Sequence, residues 1–238
     1  MHLPAPLREL AAEPERAALL LDVDGVLAPI VPRPEDARVP DGTRAELRRL
    51  ASRYALVACV CGRAGEDARR VVGVDELVYV GEHGLELEPE AEAWVGRLRA
   101  FADDTTEWPA ERKRLTVSFH WRTAEDPEAA RRVLEGIEER ARSAGLVPRW
   151  GRMVLELRPP LAAHKGTAVA RLLERHGLAR AMYAGDDTTD LDAFGALARL
   201  ELGVRVAVAS TEAPPTLLEA ADVVVGGPEE LFQVLRFL

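Results

Sequence analysis

Short apolar runs recur along this chain: AALLL at 17–21, ALVACV at 55–60, LVYV at 77–80, AMYAG at 181–185, VRVAV at 204–208 and DVVV at 222–225. Most are too short for a helix and lack polar alternation, so they predict strands buried on both faces. Between them the spacing predicts helices over 41–52, from Gly62 to Val72, over 167–176 with Gly177 as the residue beyond its end, over 191–200 and over 228–236. Buried strands alternating with helices give a doubly wound, Rossmann-like parallel α/β sheet. Pro29, Pro32, Pro34 and Pro40 make 29–40 a surface loop.

The middle of the chain follows another rhythm. LTVSFHW at 115–121 alternates, with Leu115, Val117, Phe119 and Trp121 on one face. MVLEL at 153–157 sets Met153, Leu155 and Leu157 against Val154 and Glu156. Such alternation predicts antiparallel strands with one face toward water or a ligand. Between them 127–143 reads as a charged helix, with Asp126 as N-cap and Pro127 at its first position. The expected division is a core of 1–87 and 161–238 and an inserted α+β cap of 88–160.

The formal net charge of −9 argues against general nucleic-acid binding. No apolar run reaches the ~18 residues of a membrane span, and 1–15 has no signal-peptide core, so a cytoplasmic protein is expected. Cys59 and Cys61 are the only cysteines and cannot form a disulfide framework. Of the 31 basic residues, only Lys113 and Lys165 are lysines.

Asp22 and Asp24 follow the first run as DVDG. Residues two apart on an extended backbone project to one side, which places both carboxylates at the carboxyl edge of the sheet, where ligands of such sheets bind. Adjacent carboxylates call for a cation or a proton, and hard oxygen ligands suit Mg²⁺. A second acid cluster, Asp186, Asp187, Asp190 and Asp192, follows AMYAG. Lys165 opens a helix in AHKG, and its compact ammonium suits a place between carboxylate and phosphate. Cys61-Gly62-Arg63 ends the second run, where free N–H groups at a helix start can hold an anion.

Taken in chain order, Asp22–Asp24, Cys61–Arg63, Lys165 and then Asp186–Asp192, the four elements resemble the haloacid-dehalogenase-like phosphatase superfamily. Within it the chain is similar to the trehalose-6-phosphate phosphatases, through DVDGVLAPIVPRPEDA at 22–37, GRAGEDARRVVG at 62–73, YVGEHGLE at 79–86, LTVSFHWR at 115–122, LELRPPLAAHKGTAV at 155–169 and YAGDDTTDLDAF at 183–194. The resemblance implies Asp22 as nucleophile, Asp24 as general acid and then base, and Mg²⁺ held by the Asp22 carboxylate, the Asp24 carbonyl and Asp186. Lys165 would neutralise the phosphoryl charge, with Asp187 or Asp190 orienting it or metal-bound water. Cys61, Gly62 and Arg63 would grip phosphate. Glu156 matches the family's E-x-R-P stretch and would bind sugar, with Arg152, His120 and Arg122 as further candidates; a solvated strand face is the alternative for the two arginines. His83 reads equally as a core, hinge or ligand residue.

The chain departs from the family's pattern at Cys61 (usually Ser or Thr), Val26 (Thr), Glu82 (Asn) and Leu191 (Glu). A thiol donates hydrogen bonds poorly and could ionise beside Lys165 and Mg²⁺. The expected activity is Mg²⁺-dependent hydrolysis of trehalose 6-phosphate. Another sugar phosphate, such as sucrose phosphate or a mannosyl glycerate phosphate, and a non-catalytic sugar-phosphate sensor stand as alternatives. The expected partners are the sugar phosphate and a trehalose-phosphate synthase of the same pathway, with no nucleic acid and no membrane. A monomer is expected.

Overall fold

A computed structural model describes residues 3–151, 153–211 and 213–238. The first part of the chain forms α1 (Ala5–Ala11), β1 (Ala17–Leu21), α2 (Asp41–Ala51), β2 (Leu56–Val60), α3 (Gly65–Val72) and β3 (Val78–Val80). Then come α4 (Val95–Asp104), β4 (Glu111–Arg112), β5 (Val117–His120), α5 (Pro127–Ser143), β6 (Val147–Gly151) and β7 (Val154–Arg158). The last part forms α6 (Lys165–His176), β8 (Arg180–Gly185), α7 (Asp190–Leu197), β9 (Leu202–Val208), α8 (Pro215–Ala220), β10 (Val223–Val225) and α9 (Pro228–Leu235). These elements fall into two compact units. One runs to Gly84 and resumes from Ala163 to Leu238; the other is Leu85–Ala162, wider at both ends than the expected 88–160.

The first unit is the expected doubly wound sheet. Among the described residues it has six parallel strands in the order β10-β9-β8-β1-β2-β3. Every residue of β1 and β2 is buried, which explains why both read as continuous apolar runs. Leu19, Leu20 and Leu21 have no exposure, and burying each contributes roughly 1.5–3 kcal/mol. From β1 the chain winds to β2 and β3 on one side and, after the insert, to β8, β9 and β10 on the other. The boundary between β1 and β8 is therefore the switch point, beside which such sheets bind ligands. Gly73 and Gly177 end α3 and α6 in the left-handed conformation, at φ 66° and 63°.

The second unit is an antiparallel sheet of order β4-β5-β7-β6, with a core of its own. Val117, Phe119, Leu155 and Leu157 pack with Leu98, Leu134 and Ile137 of α4 and α5. Asp126 caps α5 by accepting from the N–H groups of Glu128 and Ala129, at 3.0 and 2.9 Å. Three expectations change here. Met153 is not a strand residue: it sits in the β6–β7 turn at φ 54°. The polar face is only partly open to water: His120 is exposed, but Thr116, Ser118 and Glu156 are buried. β6 is an additional strand, at the edge of the sheet, where Pro148 is tolerated. In the first unit, α6 starts two residues earlier than expected, at Lys165, and α7 stops at Leu197. Asp41 makes no side-chain cap on α2, which begins after Pro40.

Candidate active site

The candidate site lies wholly in the first unit, at the carboxyl ends of β1, β2 and β8. Asp22 directly follows β1, and its N–H donates to the Ala184 carbonyl at 2.9 Å, so the β1–β8 pairing continues through it. Its Oδ1 accepts from the Val23 N–H at 2.7 Å. Its Oδ2 accepts from Lys165 Nζ at 2.6 Å. Lys165 is 2% exposed and also donates to Asp190 Oδ1 at 2.6 Å. Burial works against its charge, but Asp190 and Asp22 outweigh that and hold the ammonium above the ordinary lysine value.

Asp190 is the anchor of this network. Tyr183 Oη bonds the same Oδ1 at 2.7 Å and lies 3.3 Å from the Val60 carbonyl oxygen. The N–H groups of Asp186 and Asp187 donate to Oδ2, both at 2.9 Å. Asp190 thus starts α7 while tying β8, β2 and α6 to one carboxylate. The geometry gives it, and not Asp187, the contact with Lys165. Asp187 Oδ1 is turned to the Thr188 N–H at 2.7 Å, a local turn contact. A Cβ at Gly185 would collide with Asp190, so glycine there is required by this fold-back.

Asp22, Asp186 and Asp190 each offer a ligand oxygen within 4.8 Å of the others, and all three are buried. Burial pushes Asp22 up to about 7 from its ordinary 3.8, an effect that Lys165 opposes and Asp190 reinforces. Burial, then Asp22 and Asp190, push Asp186 up to about 8. Three buried carboxylates against one ammonium leave a deficit of positive charge. A small divalent cation with oxygen preference fits it. Asp190 already accepts four hydrogen bonds, so the carboxylates open to a cation are those of Asp22 and Asp186.

Gly25 makes the Asp186 position possible. It stands at φ 79°, and a Cβ there would lie 2.6 Å from Asp186 Cγ. The loop around it folds back tightly, with the N–H groups of Leu27 and Ala28 both donating to the Val23 carbonyl at 2.9 Å. The side chain of Asp24 does not join this carboxylate cluster. Its carboxylate takes two hydrogen bonds from Arg63, Nε to Oδ2 and Nη2 to Oδ1, each 2.7 Å. Arg63 is thus committed to protein acceptors, where an anion-gripping role was expected.

The Cys61–Arg63 turn is held from β3. The Cys61 N–H donates to Val80, His83 to the Cys61 carbonyl at 2.9 Å, and Glu82 to the Arg63 carbonyl at 2.7 Å. Glu82 and His83 pay for this reach with left-handed backbones, at φ 49° and 55°. A Cβ on Gly62 would stand 2.8 Å from His83 Nε2, so the imidazole packs directly on this turn. Cys61 is 1% exposed, and its Sγ lies 3.8 Å from the Arg63 carbonyl. Burial, reinforced by the Asp22 charge, pushes the thiol far up despite Lys165, which works against ionisation of Cys61.

The sugar-binding candidates belong to the second unit. Glu156 is buried, with Lys113 Nζ 3.6 Å from Oε1 and Arg158 Nε 3.8 Å from Oε2. His120 Nε2 lies 2.6 Å from Glu111 Oε2. Arg122 is exposed in the turn after β5. Arg152 lies outside the described residues. Sequence reasoning missed Tyr183. Its signal is a phenol in an otherwise apolar buried strand, two residues before Gly185. No helix among the described residues is long and apolar enough to cross a membrane.

A family model described as trehalose-phosphatase matches residues 20–220. An uncharacterized glycosyl hydrolase of Mycobacterium tuberculosis is 36% identical over 214 residues, 80% of this chain and 16% of that protein. A probable trehalose-phosphate phosphatase of Oryza sativa subsp. japonica is 30% identical over 228 residues, 84% of this chain and 61% of its own length. The chain therefore spans less than two thirds of the length of these relatives. The crystal structure of a trehalose-6-phosphate phosphatase related protein matches with a TM-score of 0.72 at 25% identity, over 92% of this chain and 96% of that one.

Proposed function

The chain belongs to the trehalose-phosphatase family, and from that premise we propose that it hydrolyses trehalose 6-phosphate to trehalose and inorganic phosphate. The observation that carries the reading is the buried ammonium of Lys165, held 2.6 Å from both Asp22 and Asp190 at the switch point of the sheet. Asp22 attacks phosphorus, the bond to the sugar oxygen breaks, and an aspartyl phosphate forms on Asp22. Asp24 gives the departing sugar oxygen its proton. It then takes a proton from the water that attacks the aspartyl phosphate, releasing inorganic phosphate and restoring Asp22. Lys165 faces the phosphoryl charge, and Asp190 fixes its direction. Asp22, Asp186 and the Asp24 carbonyl would hold Mg²⁺, which when bound would supply the positive charge that the carboxylates lack. Glu156, with Lys113 and Arg158 around it, is the sugar-hydroxyl acceptor of the second unit.

The test is phosphate release from a panel of trehalose 6-phosphate, sucrose phosphate and a mannosyl glycerate phosphate, with Mg²⁺ and with chelator. Trehalose 6-phosphate should give the highest kcat/KM, and chelator should abolish turnover. Another sugar phosphate ahead by about tenfold in kcat/KM would replace the substrate assignment. Tight binding without phosphate release in excess Mg²⁺ would make the protein a sensor.

A further inference from the structure

We propose that Arg63 is the positioning residue for Asp24 and does not ligate the phosphate. This inference rests on the reading of Asp24 as the group that protonates the leaving oxygen. Asp24 stands on an irregular loop, and its side chain is 43% exposed. Nothing in that loop fixes where its carboxylate points. Arg63 does so from the turn after β2, 39 residues away in sequence, by holding both oxygens at 2.7 Å in a planar fork.

The guanidinium is immobilised in turn. Nη1 donates to Asp67 Oδ2 at 2.7 Å, and Nη2 also donates to the Pro34 carbonyl at 3.0 Å. Four of its five N–H groups are thereby committed to the protein. Its side chain is 9% exposed, which leaves little surface for a ligand. The backbone beneath it is fixed as well, because its carbonyl accepts the Glu82 N–H. The approach of that segment needs Gly81, whose Cβ would lie 2.7 Å from the Ala64 carbonyl carbon. A chain of contacts thus runs from the left-handed Glu82 through Arg63 to the carboxylate of Asp24. The Pro34 contact ties the proline loop to the same fork. A phosphate gripped by this Nε–Nη2 fork would have to displace Asp24 from both its bonds. A positioning residue needs no such exchange.

The experiment compares wild type, Arg63→Gln, Arg63→Lys and Asp67→Asn on two substrates. Trehalose 6-phosphate has an alkoxide leaving group that needs a proton. p-Nitrophenyl phosphate has a phenolate that leaves unaided, and single-turnover release of p-nitrophenolate with enzyme in excess reads its first step alone. Arg63→Gln should lower kcat on trehalose 6-phosphate by about 10²-fold, the scale of lost general acid catalysis. KM, inhibition by inorganic phosphate and the single-turnover rate should stay within about threefold, since none depends on protonating the leaving group. Arg63→Lys should recover part of the lost kcat, and Asp67→Asn should give a weaker, equally selective loss. Asp67→Asn keeps the test alive if the Arg63 variants do not fold. Parallel rises in KM and in the phosphate inhibition constant would overturn the inference in favour of a phosphate ligand. An equal loss on both substrates would reduce Arg63 to a structural role. Wild type inactive on both substrates would sink the proposed function itself, a different result from any of these.

Discussion

Gly25→Ala tests whether the Asp22–Gly25 segment and the Asp186 cluster form one site. The substitution acts at a glycine with φ 79°, where a Cβ would lie 2.3 Å from Asp186 Oδ2, against 3.4 Å for ordinary contact. The Asp186 carboxyl must therefore retreat by about 1.1 Å, and misplacements near 1 Å cost on the order of 10²-fold in rate. The left-handed backbone adds roughly 1–2 kcal/mol of strain. For a chain of this size that is a fall in Tm of about 2–8 °C. The expected outcome is a folded protein with kcat on trehalose 6-phosphate reduced about 10²-fold and Mg²⁺ affinity, measured by calorimetry, weakened in step. Asp186→Asn should show the same weakened Mg²⁺ binding without the loss of Tm. A Gly25→Ala protein with wild-type kcat and Mg²⁺ affinity would refute the claim that Asp186 works from this position.

Three further outcomes are expected. Lys165→Arg should lose at least about 10²-fold in kcat in the phosphate-release assay, because a planar fork in a fully buried space cannot place one nitrogen 2.6 Å from both carboxylates; full activity would end the point-charge argument. Asp22 and Asp186 titrate at about 7 and about 8 in the cation-free fold, against 3.8 unfolded. The folded state therefore keeps protons that the unfolded chain releases, and stability falls as pH rises from about 4 to about 8, at up to ~1.4 kcal/mol per pH unit for each group. Melting curves in chelator should show this decline and Mg²⁺ should flatten it; a pH-independent Tm in chelator would contradict it. Cys61→Ser should hold or raise kcat within about threefold, since burial works against a thiolate and a hydroxyl bonds more strongly than a thiol. A tenfold loss, roughly 1.4 kcal/mol, would show that the sulfur has a function of its own.

The core sheet was legible because its strands are buried on both faces, so each writes itself as an apolar run. The acids and Lys165 were legible because they interrupt those runs or open the next helix. Geometry that depends on distant partners was not legible. Arg63 looked like an anion ligand because its acceptors, Asp24 and Pro34, lie far from it in sequence. Asp187 and Asp190 could not be told apart until the fold-back showed which one receives the Asp186 and Asp187 N–H groups. β6 escaped notice because an edge strand carrying Pro148 has no buried alternation to read. Met153 joined the strand on paper, yet the tight return to β7 needs it in the turn.

The placing of the insert bears on how the chain reaches its native state. β1 and β8 are neighbours at the centre of the sheet, with Leu19 opposite Met182, and the whole second unit intervenes between them in sequence. That register is the most non-local strand pairing of the core sheet, and closing so long a loop is entropically slow. The insert leaves and rejoins the core at adjacent points, because a Cβ on Gly84 would lie 3.1 Å from the His164 carbonyl oxygen. With its own apolar core, Leu85–Ala162 can collapse first and bring these ends together. Removing its length from the loop, roughly half of it, lowers the closure entropy by only about 0.6 kcal/mol. The larger kinetic benefit is topological, since α6, which leads into β8, then starts beside Gly84 just beyond β3. Order of folding, more than strength of pairing, is what this arrangement sets.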